Sequence, residues 1–306
     1  MRLFSKSSVL CALMLAFLPL CAQAQILVTS FGPGQVLQYT NNGTLVGQFA
    51  SVNTAHNITF DATGNAYISD HFDGTVNRYN PDGSNGAFFT GPGTNRGATG
   101  MVFDSLGRFY LSDFSGGVIR RYNADGSGGT IFASGLSSPD HMTIHNGLLY
   151  VANFGNRAIS SFQLDGTPVS SFDTGIDNPV GLDFDSTGRL YVTGFGSGTI
   201  LRYSADLLSS TTIISGLNMP HGITVGADNK LYIAESGGAG RILQSDLDGS
   251  NLATFINVAN PIDVKFGSVI TTSAPEPGTL TLFALGAISL AFARVRAARK
   301  APLPGG

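Results

Sequence analysis

Between residues 25 and 274 one unit recurs about every 41 residues, and this repeat limits the available folds more than any other feature of the 306-residue chain. Its most legible piece opens with tyrosine: "YISD" at Tyr67, "YLSD" at Tyr110, "YVAN" at Tyr150, "YVTG" at Tyr191 and "YIAE" at Tyr232, in steps of 43, 40, 41 and 41. "ILVTS" at Ile26 stands one period earlier and makes a sixth copy. Each copy keeps one internal order of short apolar or alternating runs between turn signals, the pattern of strands. A run such as "NITFD", "MVFD" or "LDFD" leads through a tight turn ending in glycine to the tyrosine run. Then come "TVNRYN", "VIRRYN" or "TILRYS", a turn that is often Asp-Gly, and a last run such as "TIFA" or "TIIS". Four short antiparallel strands per ~40 residues, repeated in tandem, predict an all-β, six-bladed β-propeller. Outside the two ends no segment carries a 3.6-residue apolar stripe, which excludes a helical solenoid.

The repeat begins at the second strand of a blade, and the first strand that would complete it is "IDVKF", Ile262 to Phe266. The two ends of the repeat region are therefore expected to share one blade, which closes the ring without an open edge. "VITTS", Val269 to Ser273, is a spare strand-like piece that leaves a seventh blade or an overlapping closure open.

The two termini read differently from the body. Arg2 and Lys6, the apolar run Val9 to Leu20 and the small-residue sequence through Ala24 have the order of a cleavable secretory signal, 1–24. Leu20 before Cys21 argues against a lipoprotein anchor. At the other end, Pro275-Glu276-Pro277 precedes an apolar stretch over 278–293, then Arg294, Arg296, Arg299 and Lys300. Sixteen residues are short against the ~20 that span a bilayer, so this is a marginal anchor with a basic stop. The expected organisation is signal 1–24, propeller 25–272 and tail 273–306, with a short transmembrane segment at 278–293.

The tail resembles a PEP-CTERM sorting signal, whose triplet, membrane segment and arginine cluster all occur in order. The resemblance implies exosortase-type sorting machinery as a partner and transient membrane anchoring. It also implies export to the envelope, surface or extracellular matrix of a Gram-negative-type bacterium, with exopolysaccharide nearby.

Without both ends the body keeps 11 basic and 19 acidic residues, a net charge near −8, so no nucleic-acid partner is expected. Both cysteines, Cys11 and Cys21, fall in the signal, so the body has neither disulfide nor thiolate ligand. A monomer held by its core is expected.

"PHGITVGADNKLYIAES" and "PVGLDFDSTGRLYVTGFGSGTILRYSADL" resemble the grammar of NHL-repeat propellers, which is related to that of gluconolactonase-type and virginiamycin B lyase-type propellers. Strand parity puts the start of each first strand and the end of each second strand on one face, with the Asp-x-x-Gly turns opposite. Aligning the six first strands brings His56, Thr99, Asp140, Val180, His221 and Ile262 to one level. His56, Asp140 and His221 come from alternate blades, and two imidazoles with a carboxylate suit a zinc-like cation. Some NHL-type lyases carry a metal on histidines of separated blades, which the resemblance extends to these positions, with Asp140 as a departure.

The second strands end in Ser30, Asp70, Asp113, Asn153, Gly194 and Glu235. Asp70 and Asp113 are expected to accept backbone N–H groups of the following loop. Glu235 is the candidate general base, by resemblance to lyase-type propellers. Gluconolactonase-type propellers hold calcium through a Glu, an Asn and an Asp at the channel, and by that resemblance Glu235, Asn153 and Asp140 offer matching oxygen donors. His71 is expected at the rim and His145 on the opposite face. Phe31, Phe72, Phe114, Phe154 and Phe195 follow the second strands in five blades; they read as wedges between blades, or as a platform on which sugars stack. The expectation is a binding or scaffold module, with a metal-dependent lactonase or lyase using calcium or zinc as the alternative.

Overall fold

The computed structural model describes residues 25–89 and 97–267. The expected signal, the piece at 269–273 and the apolar segment at 278–293 lie outside the described residues. Among the described residues every regular element is a strand, and none forms a helix long and apolar enough to cross a membrane.

Six sheets of four antiparallel strands form the blades of a propeller. Blade one joins Pro261–Phe266 to Gln25–Ser30, Gln35–Thr40 and Leu45–Ser51. The joint is a continuous ladder, with Ile26 opposite Phe266 and Val28 opposite Val264. The ring is thus closed by the two ends of the repeat region, as the permuted repeat requires. The remaining first strands, lining the axis, are Ala55–Phe60, Ala98–Phe103, Pro139–His145, Pro179–Phe184 and Pro220–Val225 in blades two to six.

The core lies between blades rather than within one. Tyr150, Ala152 and Ile159 of blade four pack with Leu182, Leu190 and Val192 of blade five, and the same pattern recurs round the ring. Each fully buried large side chain contributes roughly 2 kcal/mol of apolar burial, so the blades hold one another.

The tyrosine that marks the repeat has a second task. Tyr191 is fully buried, and its hydroxyl donates to Asp185 Oδ2 at 2.9 Å in the turn just before it. Tyr110 does the same to Asp104 at 3.0 Å and Tyr232 to Asp228 at 2.8 Å. Asp185 Oδ1 also accepts the Thr187 and Arg189 N–H groups. Gly188 ends this turn at φ +84°, a conformation that favours glycine. The spacing of Asp, Gly and Tyr is therefore one hydrogen-bonded unit.

Candidate functional site

Two rings of side chains meet at the face where first strands begin and second strands end. The pairings Ala55 with Asp70, Pro139 with Asn153 and Pro220 with Glu235 put these ends side by side. The second residue of each first strand forms the floor of the mouth, and Ile262, His56, Asp140 and His221 line a cavity of about 480 Å³ there.

The residue after each second strand forms a collar above the floor. In each blade its backbone N–H donates to the loop before the first strand: Phe31 to Asn260, His71 to Thr54, Phe114 to Gly97, Phe154 to Ser138, Phe195 to Asn178 and Ser236 to Met219. His71, not Phe72, thus takes the collar position in blade two. The aromatic alignment slips by one residue there, because "DHFDG" carries its aromatic one place later. Phe72 is half exposed and packs on His71 and Phe31. The collar rings also touch across blades: Phe114 and Phe154 lie 5.5 Å apart between centroids and Phe154 and Phe195 5.9 Å. They pack between neighbours and line the cavity at once.

The floor is held by the hydroxyl before the last residue of the second strand, in "LVTS", "YISD", "YLSD" and "YVTG". Thr29 Oγ1 donates to the His56 carbonyl, Ser112 Oγ to that of Asp140 and Thr193 Oγ1 to that of His221, each from the preceding blade. Thr29 Oγ1 also accepts the Asp263 N–H in its own blade, and Thr193 Oγ1 that of Gly181. These hydroxyls are fully buried. Part of the repeat grammar is therefore the fastening of the floor.

Below the floor a third ring reads Asp263, Asn57, Gly100, His141, Gly181 and Gly222 round the axis. A Cβ on Gly100 would stand 2.2 Å from the Asp140 carbonyl, so glycine there lets Asp140 and His141 approach. Asp263 accepts the Asn57 side-chain N–H at 2.7 Å and the Ile58 N–H at 3.0 Å. His141, missed by reasoning from aligned floor positions, stands where three sister blades carry glycine. That contrast was visible in the aligned repeats.

Four histidines crowd this mouth. The His56 ring lies 5.1 Å from that of His221, 5.3 Å from His71 and 5.7 Å from His141. Asp140 Oδ1 sits 3.2 Å from His141 Nδ1 and 4.0 Å from His56 Nδ1. The closer approach lies outside hydrogen-bond geometry, and Nδ1 of His56, His71, His141 and His221, like Asp140 Oδ1, is buried with no hydrogen-bond partner. Burial lowers His56 well below the usual imidazole range, takes His221 down to about 4 and lowers His71. Burial works to raise the Asp140 carboxyl, but His56 and then His141 beside it outweigh this and hold it well below the carboxylate range. Neutral imidazoles facing a carboxylate are the protonation states that ligate cations. His56, Asp140 and His141 each offer a donor atom within 4.8 Å of the others.

The remaining candidates have structural partners. Glu235 accepts the Asn218 N–H at 2.8 Å and pairs with Arg241; it is not among the described residues lining the cavity. Asp70 accepts from Thr54 and the Asp73 N–H, and Asp113 accepts the Gly116 N–H at 2.8 Å. Asn153 donates to the Ala158 carbonyl and Ser160 Oγ, leaving its own Oδ1 buried without a partner. On the opposite face His145 stacks on Phe184 at 4.1 Å.

Comparison with known proteins yields a tail and a fold. Residues 273–297 match the PEP-CTERM protein-sorting motif. The chain is a β-propeller with this sorting tail, which implies recognition by exosortase-type machinery and export to the cell envelope or surface. Curated protein sequences contain no match to the chain. Among solved structures, a chain of a nidogen/laminin complex is similar with a TM-score of 0.71 at 16% identity, covering 80% of this chain and 99% of that one. A streptogramin B lyase is similar with a TM-score of 0.62 at 17% identity, covering 80% and 84%. An inactive virginiamycin B lyase from Staphylococcus aureus with quinupristin gives 0.59 at 18% identity, covering 84% and 88%. At such identities the likeness establishes the propeller and nothing about chemistry.

Proposed function

We propose that this exported propeller is a binding module of the cell surface or its exopolysaccharide layer, and that its ligand enters the collared mouth. The cavity carries the reading: an arc of Phe114, Phe154 and Phe195 stands over a floor of imidazoles and a carboxylate. A small space with apolar walls and a few convergent polar groups is the usual form of a ligand site. Where Ser236 interrupts the aromatic collar, Met219 lines the cavity, 42% exposed and held at φ +52°. A similar φ recurs at Ser138, Asn178 and Asn260 before three other first strands, so the loop fixes the backbone and Met219 adds an adaptable apolar side chain at the rim. The flat apolar face of a sugar ring in a matrix polysaccharide suits such an arc.

The full chain should be retarded in gels containing the producing cell's polysaccharide. Replacing both Phe114 and Phe154 by alanine should weaken retardation at least tenfold, as two lost stacking contacts of about 1 kcal/mol each require. Unchanged retardation of that variant would move the site elsewhere. A metal-dependent lactonase or lyase is the second reading, favoured by the unpartnered imidazoles. The Arg241 pair held by Glu235 weighs against its service as the base of such an enzyme. In the cell, sorting cleavage should remove residues 278–306 from the mature protein, and mass spectrometry that finds them intact would contradict it.

A further inference from the structure

We propose that His56, Asp140 and His141 bind one divalent transition-metal ion at the floor of the mouth. The first support is distance. A tetrahedral ion with bonds of 2.0–2.2 Å sets its donors about 3.4 Å apart; the separations here are 3.2 Å from Asp140 to His141 and 4.0 Å from Asp140 to His56. All three donor atoms lie within 4.8 Å of one another, so side-chain movements of up to about an ångström gather them.

The second support is what these atoms lack. A buried polar group without a partner costs about 1–3 kcal/mol, and one cluster here holds Nδ1 of His56 and His221, Asp140 Oδ1 and both ring nitrogens of His141 in that condition. Side chains arranged for stability alone pair with one another or with the backbone, as Asp70 and Asp113 do on the same face. One cation ligated by His56, Asp140 and Nδ1 of His141 satisfies three of these atoms at once. Their backbone carriers are meanwhile fastened independently: Thr29 and Ser112 hold the carbonyls of His56 and Asp140, and glycine at position 100 makes room for His141.

The donor set also selects the ion. Imidazole nitrogen with a single carboxylate suits Zn²⁺, Fe²⁺, Co²⁺ or Ni²⁺, whereas Ca²⁺ and Mg²⁺ take six or more oxygens. His141 Nε2 lies 3.8 Å from Asp263 Oδ1, beyond a direct hydrogen bond, so that carboxylate stands on the far side of the ring from Asp140 and is placed to take the Nε2 proton once Nδ1 is ligated. His56 and Asp140 border the cavity while His141 lies beneath it, so the open side of the ion faces the mouth. The metal is independent of the proposed glycan, because it is read with no other ligand added.

The test titrates Zn²⁺ into the full chain after chelator treatment, by calorimetry, and Co²⁺ by visible absorption. One ion per chain is expected, with Co²⁺ bands of low coordination number. His56→Leu and His141→Leu should each weaken binding at least a hundredfold, and Asp263→Asn by 10–100-fold with the stoichiometry kept. His145→Ala should bind as the parent does. Melting of the leucine variants in chelator separates lost ligation from lost folding. Absence of stoichiometric binding by the parent chain, or parent-like binding by the folded leucine variants, overturns the proposal.

Discussion

The two faces of this propeller bury the same kinds of group and treat them in opposite ways. On the turn face the buried Asp185 and Asp104 are saturated. Asp185 takes the Thr187 and Arg189 N–H groups, the Arg189 Nε at 2.7 Å and the Tyr191 hydroxyl, and Asp104 has the matching set. At the mouth, carboxylate and imidazoles lie as deeply buried with ring nitrogens left over. Saturated polar groups close a turn; unsaturated ones are available to a ligand. The same contrast separates Asp70 from Asp140, both carboxylates near one rim.

Acid should resolve the two faces, with the largest effect. His221 has its pKa lowered to about 4 from an ordinary 6.5, so the unfolded chain binds the extra proton and stability falls as pH drops across that window. At about 1.4 kcal/mol per unit this amounts to roughly 3 kcal/mol for the metal-free protein. His56 is lowered in the same direction and adds to it. On the turn face burial tends to raise Asp185, but hydrogen bonds from Thr187, Arg189 and Tyr191 take it down to about 2 from 3.8. Its contribution is complete above pH 4 and is lost as pH falls towards 2. Asp61 and Asp104 are lowered too and follow it, and Asp140 at the mouth, lowered beside His56, joins this acid stage, so the histidine stage alone marks the mouth. Urea midpoints measured with chelator between pH 8 and 2 should fall in two stages. A single stage confined below pH 4 would deny the histidine burial.

Asp185→Ala attacks the saturated face directly. It strips partners from Arg189, the Tyr191 hydroxyl and two backbone N–H groups, and should cost about 2–4 kcal/mol in chemical unfolding. Ser112→Ala is milder: it removes one buried hydroxyl that bonds the Asp140 and Gly100 carbonyls and Thr99 Oγ1, about 1–2 kcal/mol. The smallest effect is expected from His221→Leu at pH 8 with chelator. Because its Nδ1 has no partner to lose, the unfolding midpoint should stay within about 0.5 kcal/mol of the parent or rise. A loss as large as that of Asp185→Ala would erase the distinction between the faces.

Most of the fold was legible because each blade repeats its own instructions. Tyrosine, Asp-x-x-Gly and alternating apolar residues are local signals, and six copies average out the ambiguity of any one. The closing blade was legible too, since a repeat that begins at its second strand leaves a first strand to be found near the other end. The mouth was harder. Aligned floor positions brought His56, Asp140 and His221 to one level, and the structure does place them round one cavity. Reading along single positions passed over His141, one residue further and one ring deeper, and assigned Phe72 a collar position that belongs to His71.

The sequence by itself determined the six-bladed ring, its shared closing blade, the face on which candidate residues gather and the sorting tail, because all of these follow from local pattern and order. Only the tertiary structure decided which polar side chains have partners. Glu235 is claimed by Arg241 across its own blade, while His141 reaches Asp140 and Asp263, the latter three blades away. Hydrogen-bond saturation depends on separations of a few tenths of an ångström between chain-distant atoms, and those are set by how six blades pack round an axis.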